Sequence, residues 1–179
     1  GEEPKYLHGR NTEIFMKSNH LYNFNIAKNY AYNDKIYVVE GFMDVAGGNK
    51  MNIRNIVATM GTSFSEEQIA MLRRLDCEII LMRDNDKAGR NAMVKEIPEL
   101  MSKKLKVSVV DLNTVKENLQ LAEDKDSKDL WDFANAGAVE QDLEKARVSG
   151  FQYLMKNQYF LGKDFNTETI RDAYDEAKK

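Results

Sequence analysis

Cysteine is almost missing from this chain. Cys77 stands alone, so no internal disulfide can form, and the expected setting is a reducing cytoplasm. The two histidines, His8 and His20, are too few and too badly spaced for a zinc site, and both are read as structural or surface residues. Long apolar runs are missing too. The longest are strand-sized, which excludes a transmembrane helix and a membrane partner. The start, Gly1-Glu2-Glu3-Pro4, is acidic and has no apolar stretch, so it does not read as a signal peptide; it also lacks Met, as a trimmed piece would. Nor is there a basic excess: 26 Lys and Arg face 29 Asp and Glu, a net charge of −3. Phosphate binding normally leaves a basic footprint. The charge is uneven, however, with Lys5, Arg10, Lys17, Lys28 and Lys35 early and Glu123, Asp124, Asp126, Asp129 and Asp132 crowded later. An acidic metal site within a near-neutral protein produces that imbalance, so nucleic acid is neither required nor excluded.

What is present describes an ordinary globular chain. Its 179 residues, 42% hydrophobic and 31% charged, suffice for one domain with a substantial core and room for an appendage. Leu21, Phe24, Ala27 and Ala31 recur at helical spacing and predict a helix within 15–32. Lys35–Val39 reads as a buried strand. A short helix from Met43 to Met51, interrupted by Gly47-Gly48, leads to a second strand within 53–59. Ser65-Glu66-Glu67-Gln68 has capping-box spacing and opens a helix burying Ile69, Leu72 and Leu75. Cys77–Met82 is a third strand, residues 87–105 a helix that Pro98 should kink or divide, and Val107–Leu112 a fourth strand. Alternating strands and helices predict an α/β fold with a four-stranded parallel sheet, ordered 2-1-3-4 and flanked by helices. Beyond Asn113 the acidic stretch 116–132 reads as a loop with a short helix near its end, and 139–160 and 167–177 as helices.

Acids follow two of the strands. Glu40-Gly41 closes the first, and Asp84-Asn85-Asp86 closes the third. Open α/β sheets bind ligands outside the carboxyl ends of their strands, and carboxylates gathered there repel one another unless cations intervene. Hard oxygen donors without nearby Cys or His select Mg²⁺ or Mn²⁺, which suits phosphoryl or nucleotidyl transfer. Each half has a plainer reading: Glu40 as a surface strand end, and the Asp pair as a helix cap. Period two points Asp84 and Asp86 the same way only while the backbone stays extended. The acids of 123–132 suit a solvated loop, or a route by which Asp126 or Asp129 reaches the same edge. Met60-Gly61-Thr62-Ser63 could offer amides to a phosphate or serve only as a cap. Cys77 is read as core, and Trp131 as packing the acidic loop onto the domain.

Read together, Val38-Val39-Glu40-Gly41-Phe42-Met43-Asp44-Val45, Ala58-Thr59-Met60-Gly61-Thr62 and Asp84-Asn85-Asp86-Lys87-Ala88-Gly89 resemble the Toprim domain of bacterial DnaG-type primases. Toprim is shared with topoisomerases, nucleases and a recombination mediator. The flanks point to primases: Lys5-Tyr6-Leu7, then Thr12 to Ser18 and Leu21-Tyr22, resemble the segment before Toprim, and Lys125-Asp126-Ser127-Lys128-Asp129-Leu130 resembles the primase acidic loop. The resemblance implies Glu40, Asp84 and Asp86 as catalytic residues. It implies Glu40, Asp44, Asp84, Asp86 and Asp126 as metal ligands, and Lys5, Tyr6 and Lys17 as nucleotide-binding. Departures occur at His8, at Gly9-Arg10-Asn11, at Arg83 and at Lys128, which stands where a second Asp is usual. Arg83 and Lys128 are expected to reduce the site's negative charge.

The expected organisation is a lead-in at 1–34, a Toprim domain at 35–136 and a truncated helical subdomain at 137–179. The expected function is RNA-primer synthesis on single-stranded DNA from ribonucleoside triphosphates, with a replicative helicase contacted through a region not seen in this sequence. The family's zinc-binding domain and basic template-gripping subdomain are not seen in it either. A Toprim nuclease and an inert nucleotide-binding fragment stand as alternatives. A haloacid-dehalogenase-type phosphatase fits worse, because its Asp pair follows the first strand and is followed by Thr or Val, where Ala88 stands here.

Overall fold

In the computed structural model, which describes residues 19–32, 34–61, 63–121 and 128–159, four apolar strands form the centre of the fold. They are β1 (Lys35–Val39), β2 (Ile56–Ala58), β3 (Glu78–Leu81) and β4 (Val107–Val110). β1 pairs in parallel with β2 and β3, and β3 with β4, giving the expected order β2-β1-β3-β4. Successive strand residues point to opposite faces, and both faces are covered, as parallel sheets require. Ile36, Val38, Ile79, Leu81 and Val109 face one core, with α1 (Phe24–Ala31), α3 (Glu66–Arg73) and α4 (Lys87–Ser102). Tyr37, Val39, Ile80, Met82 and Val110 face the other, with α2 (Phe42–Lys50), α5 (Leu112–Asn118), α6 (Leu130–Asn135) and α7 (Glu140–Lys145).

Several expectations need correction. The first helix begins at Phe24, because Asn23 adopts a left-handed conformation (φ 67°). Before it, Tyr22 exchanges two backbone hydrogen bonds with Ala58 of β2. Gly47-Gly48 does not interrupt α2. A β-carbon on Gly47 would stand 2.9 Å from the Trp131 nitrogen, and one on Gly48 2.4 Å from Ile56 Cδ1. The pair exists for close packing of α2 against α6 and β2. Pro98 does not divide α4, whose Met93, Ile97 and Leu100 stay buried. The stretch after β4 opens as helix α5 instead of loop.

The span 139–160 is not one helix. α7 ends at Lys145, and β5 (Arg147–Ser149) pairs antiparallel with β4, making the sheet five-stranded and mixed. Then α8 (Gly150–Leu154) and a π-helical turn, Met155–Tyr159, follow. Gly150 makes this possible, since a β-carbon there would lie 2.8 Å from Ile97 Cγ2. Under α7 a polar web joins the strands. Lys35 donates to Glu140 (2.9 Å) and Glu144 (2.8 Å), the Tyr37 hydroxyl donates to Glu144 (2.5 Å), and Arg147 pairs with Glu78 and Glu144 at 3.2 Å. The expected helix at 167–177 lies outside the described residues.

Candidate active site

Because β1 and β3 are parallel neighbours, the acids that follow them emerge at one sheet edge. Glu40 comes directly after β1. The Asp84 N–H points at Glu40 Oε1, 3.4 Å away. Asp86 keeps an extended backbone (φ −132°, ψ −179°) and caps α4, its Oδ1 accepting the Gly89 N–H at 2.7 Å. The Asp86 N–H in turn donates to the Asp84 carbonyl at 2.8 Å. The cap reading and the site reading of this turn therefore hold together: Asp86 caps α4 and still lines the cavity. Glu40, Asp84 and Asp86 line a cavity of about 290 Å³. Its wall continues along α4 through Ala88, Asn91 and Ala92 to Lys95.

Two further carboxylates approach this group. Asp44 is buried, and both its oxygens are engaged: Oδ2 accepts the Gly41 N–H (3.0 Å) and Oδ1 the Leu130 N–H (3.1 Å). It thereby ties the start of α2 to the start of α6. Asp129 caps α6, accepting the Asp132 N–H at 2.9 Å. The loop before α6 also meets the Asp pair, where the Asn85 N–H donates to the Lys128 carbonyl at 2.7 Å.

Burial pushes the Asp84 carboxyl up to about 7, and Glu40, Asp44, Asp129 and Asp86 push it in the same direction. Asp44 is pushed up to about 6, first by burial and then by Asp129 and Glu40, against the lowering effect of its two backbone hydrogen bonds. Negative charge is thus concentrated here, and among the described residues no cation is ion-paired with these carboxylates. Arg83 does not supply one, contrary to expectation. It is buried on the opposite side of the chain, held by two bonds to Glu96 (2.9 and 2.8 Å), with its guanidinium 5.5 Å from the Phe64 ring centre. In an extended segment the residue just before Asp84 points to the opposite face.

The structure thus brings Glu40, Asp84 and Asp86 to one cavity and sets Asp44 beside them. Asp126, Lys5, Tyr6 and Lys17 lie outside the described residues. Among the described residues, no three His, Cys, Asp or Glu side chains are close enough to enclose a metal ion. The donors themselves, all carboxylate oxygens, fit Mg²⁺ or Mn²⁺ and not a softer metal. Asp129 was weighed only as an alternative to Asp126, and Lys95 was absent from the expected site set. Asp129 sits in the acidic stretch already singled out. Lys95 was legible from the helical spacing Ala88, Asn91, Ala92, Lys95, had the face of α4 been followed past its cap. Trp131 packs where expected, its backbone against Gly47 and its ring 5.8 Å from Lys50 Nζ.

A parallel sheet carrying Glu after one central strand and Asp-x-Asp after its neighbour is the Toprim arrangement, and residues 34–111 match the family model described as "Toprim domain". The chain contains a Toprim domain. A DNA primase of Staphylococcus aureus is 43% identical over 113 residues, which are 63% of this chain and 19% of that protein. Among solved structures, a DNA primase domain from Pseudomonas aeruginosa matches with a TM-score of 0.67 at 30% identity, covering 86% of this chain and 48% of that one. The RNA polymerase domain of Mycobacterium tuberculosis primase DnaG, in complex with double-stranded DNA, gives 0.68 at 26%, covering 99% and 55%. By sequence and by fold the chain is therefore a DnaG-type primase segment, and the matched stretch spans about a fifth of the curated relatives' length.

Proposed function

We propose that this chain is the catalytic centre of a DNA primase, joining ribonucleotides into short primers on a single-stranded DNA template. The observation that carries the reading is the meeting of Glu40 and Asp84 at one cavity, where the Asp84 carboxyl is raised by burial and four acidic neighbours. Such a site gains most from cations. Glu40, Asp84 and Asp86 would hold Mg²⁺ or Mn²⁺, with Asp126 or Asp129 reaching it from the loop before α6. When bound, the metal supplies the clamp on attacking and leaving oxygens that in-line nucleotidyl transfer requires. Asp44, with both oxygens engaged, serves in our reading to position α2 and α6 around the cleft.

The protein's own part is positioning. The backbone contact between Asp84 and Glu40 fixes the spacing of two strand ends, and the Asp86 cap fixes where α4 begins. Rigid strand ends place groups better than loops do. No side-chain nucleophile is needed, because a 3′-hydroxyl attacks the α-phosphate of the next ribonucleotide. Lys5, Tyr6 and Lys17 are proposed to hold the nucleotide. The proposed organisation is a lead-in at 1–34, the Toprim domain at 35–136, and a segment at 137–179 that gives β5 to the sheet. The proposed setting is the cytoplasm, with a replicative helicase engaged through another region of the whole protein.

The test is calorimetric titration with Mn²⁺, together with template-dependent ribonucleotide incorporation by the full-length protein. Asp84→Ala and Asp86→Ala should abolish incorporation and weaken Mn²⁺ binding while the fold persists. Unchanged Mn²⁺ affinity in both variants would defeat the assignment.

A further inference from the structure

One cation stands apart at this acidic site. Lys95 lines the same cavity as Glu40, Asp84 and Asp86, further along α4 from its Asp86 cap. It is exposed, and among the described residues no side chain pairs with it. Between the two poles lie Ala88, Ala92 and Asn91, so the wall is low, with one amide. Ala88, Asn91, Ala92 and Lys95 follow helical spacing and occupy one face of α4. Seven residues separate Ala88 from Lys95, a rise of roughly 10 Å. Helical side chains lean towards the helix N-terminus, so the Lys95 ammonium leans back towards the acids. The cavity thus has an anionic end suited to cations and a cationic end suited to an anion.

We propose that Lys95 binds the terminal phosphates of the incoming nucleoside triphosphate, whose α-phosphate lies at the acidic end. This rests on the proposed function and deepens it. A polyphosphate matches both poles at once: its reacting phosphate belongs with the metal-binding acids, and its far phosphates reach a cation further along α4. A cavity of about 290 Å³ is at the small end of ligand pockets, which run from about 300 to 1,000 Å³, and suits a chain of phosphates better than a strand of template. Lysine acts as a point charge on phosphate, so its contribution should be sensitive to salt.

The experiment measures binding of ATP, of AMP and of a short oligodeoxythymidylate to the chain with Mn²⁺ present, at low and moderate salt. Lys95→Ala should weaken ATP binding about tenfold or more, as loss of a charge-assisted contact does. It should leave AMP and Mn²⁺ affinity within about twofold, and Lys95→Arg should recover most of the loss because the charge is restored. Thermal melting verifies that the variants fold. Equal ATP affinity in wild type and Lys95→Ala overturns the proposal. So does an equal loss for AMP, or a loss confined to the oligonucleotide, which would make Lys95 a template contact. A wild-type chain that binds neither Mn²⁺ nor ATP overturns the underlying function as well, which separates the two failures.

Discussion

Gly89 lies so close to Asp84 that a β-carbon on it would stand 2.2 Å from the Asp84 carbonyl oxygen. The first turn of α4 is thereby pressed against the backbone that carries the acid. In an exposed helix, replacing Gly by Ala gains about 1 kcal/mol. Here Gly89→Ala must displace backbone, so a loss of about 1–3 kcal/mol is expected, with weaker Mn²⁺ binding as Asp84 shifts. Denaturant unfolding and metal titration of the one variant check both. A gain in stability would show that the close approach relaxes without cost.

The Asp84 and Asp44 carboxyls, raised to about 7 and about 6, set the pH dependence of the metal-free protein. An unfolded Asp ionises near pH 3.8, while the folded one keeps its proton to about 7. Over that window the native state binds more protons than the unfolded state, so stability falls as pH rises. Asp84→Asn should match wild type at pH 4 and exceed it at pH 8. Added Mn²⁺ should stabilise wild type more at pH 8 than at pH 5, because protons compete for the same oxygens. Thermal melts across this range decide, and a gap between the two proteins that stays constant from pH 5 to 8 would refute the assignment.

Arg83 and Glu96 form an ion pair whose side chains are 1% and 3% exposed. Removing one partner strands a buried charge, at a cost of about 3–5 kcal/mol, whereas replacing both by apolar residues of similar volume is often neutral. Glu96→Gln is expected to lose on that scale in urea unfolding, and Arg83→Met with Glu96→Met to recover most of it. A double variant as unstable as the single one would mean that the pair contributes more than charge balance.

Tyr37 and Glu144 offer a milder test. Tyr37→Phe removes a hydrogen bond to a charged acceptor, at about 1.5–3 kcal/mol. Burial alone would raise the Glu144 carboxyl, but its bonds from Lys35 and Tyr37 outweigh that and hold it below its ordinary 4.5. A lowered carboxyl stabilises the fold above its unfolded pKa, and the contribution is lost as pH falls. The difference between Tyr37→Phe and wild type in denaturant should therefore shrink below about pH 4.5. A difference that persists unchanged at pH 3 would place its origin in packing.

Strands β1 to β4 were legible because each is a run of apolar residues bounded by polar ones, and their order follows from alternation with helices. β5 was not. Arg147-Val148-Ser149 is short, and only its pairing with β4 makes it a strand. The glycines of α2 were misread for a related reason: their role is set by Trp131 and Ile56, distant in sequence. At the site, Glu40 and the Asp pair stood out by following strands, a local cue. That Arg83 is neutralised by Glu96 depends on α4 packing on that face of the sheet, and Lys95 enters only through a cavity that no single segment defines.

The opposite ends of β1 and β3 differ in kind. Their first residues, Lys35 and Glu78, are registered neighbours joined to a web of oppositely charged partners beneath α7. Past their last residues, Glu40 and Asp84 repel. One pair of strands therefore carries a stabilising end and a repulsive end, separated by a few buried residues. Selection for heat tolerance has somewhere to act that leaves the proposed site untouched: added ion pairs near Lys35 would firm the sheet, while neutralising the far end would trade that site's charge for sturdiness.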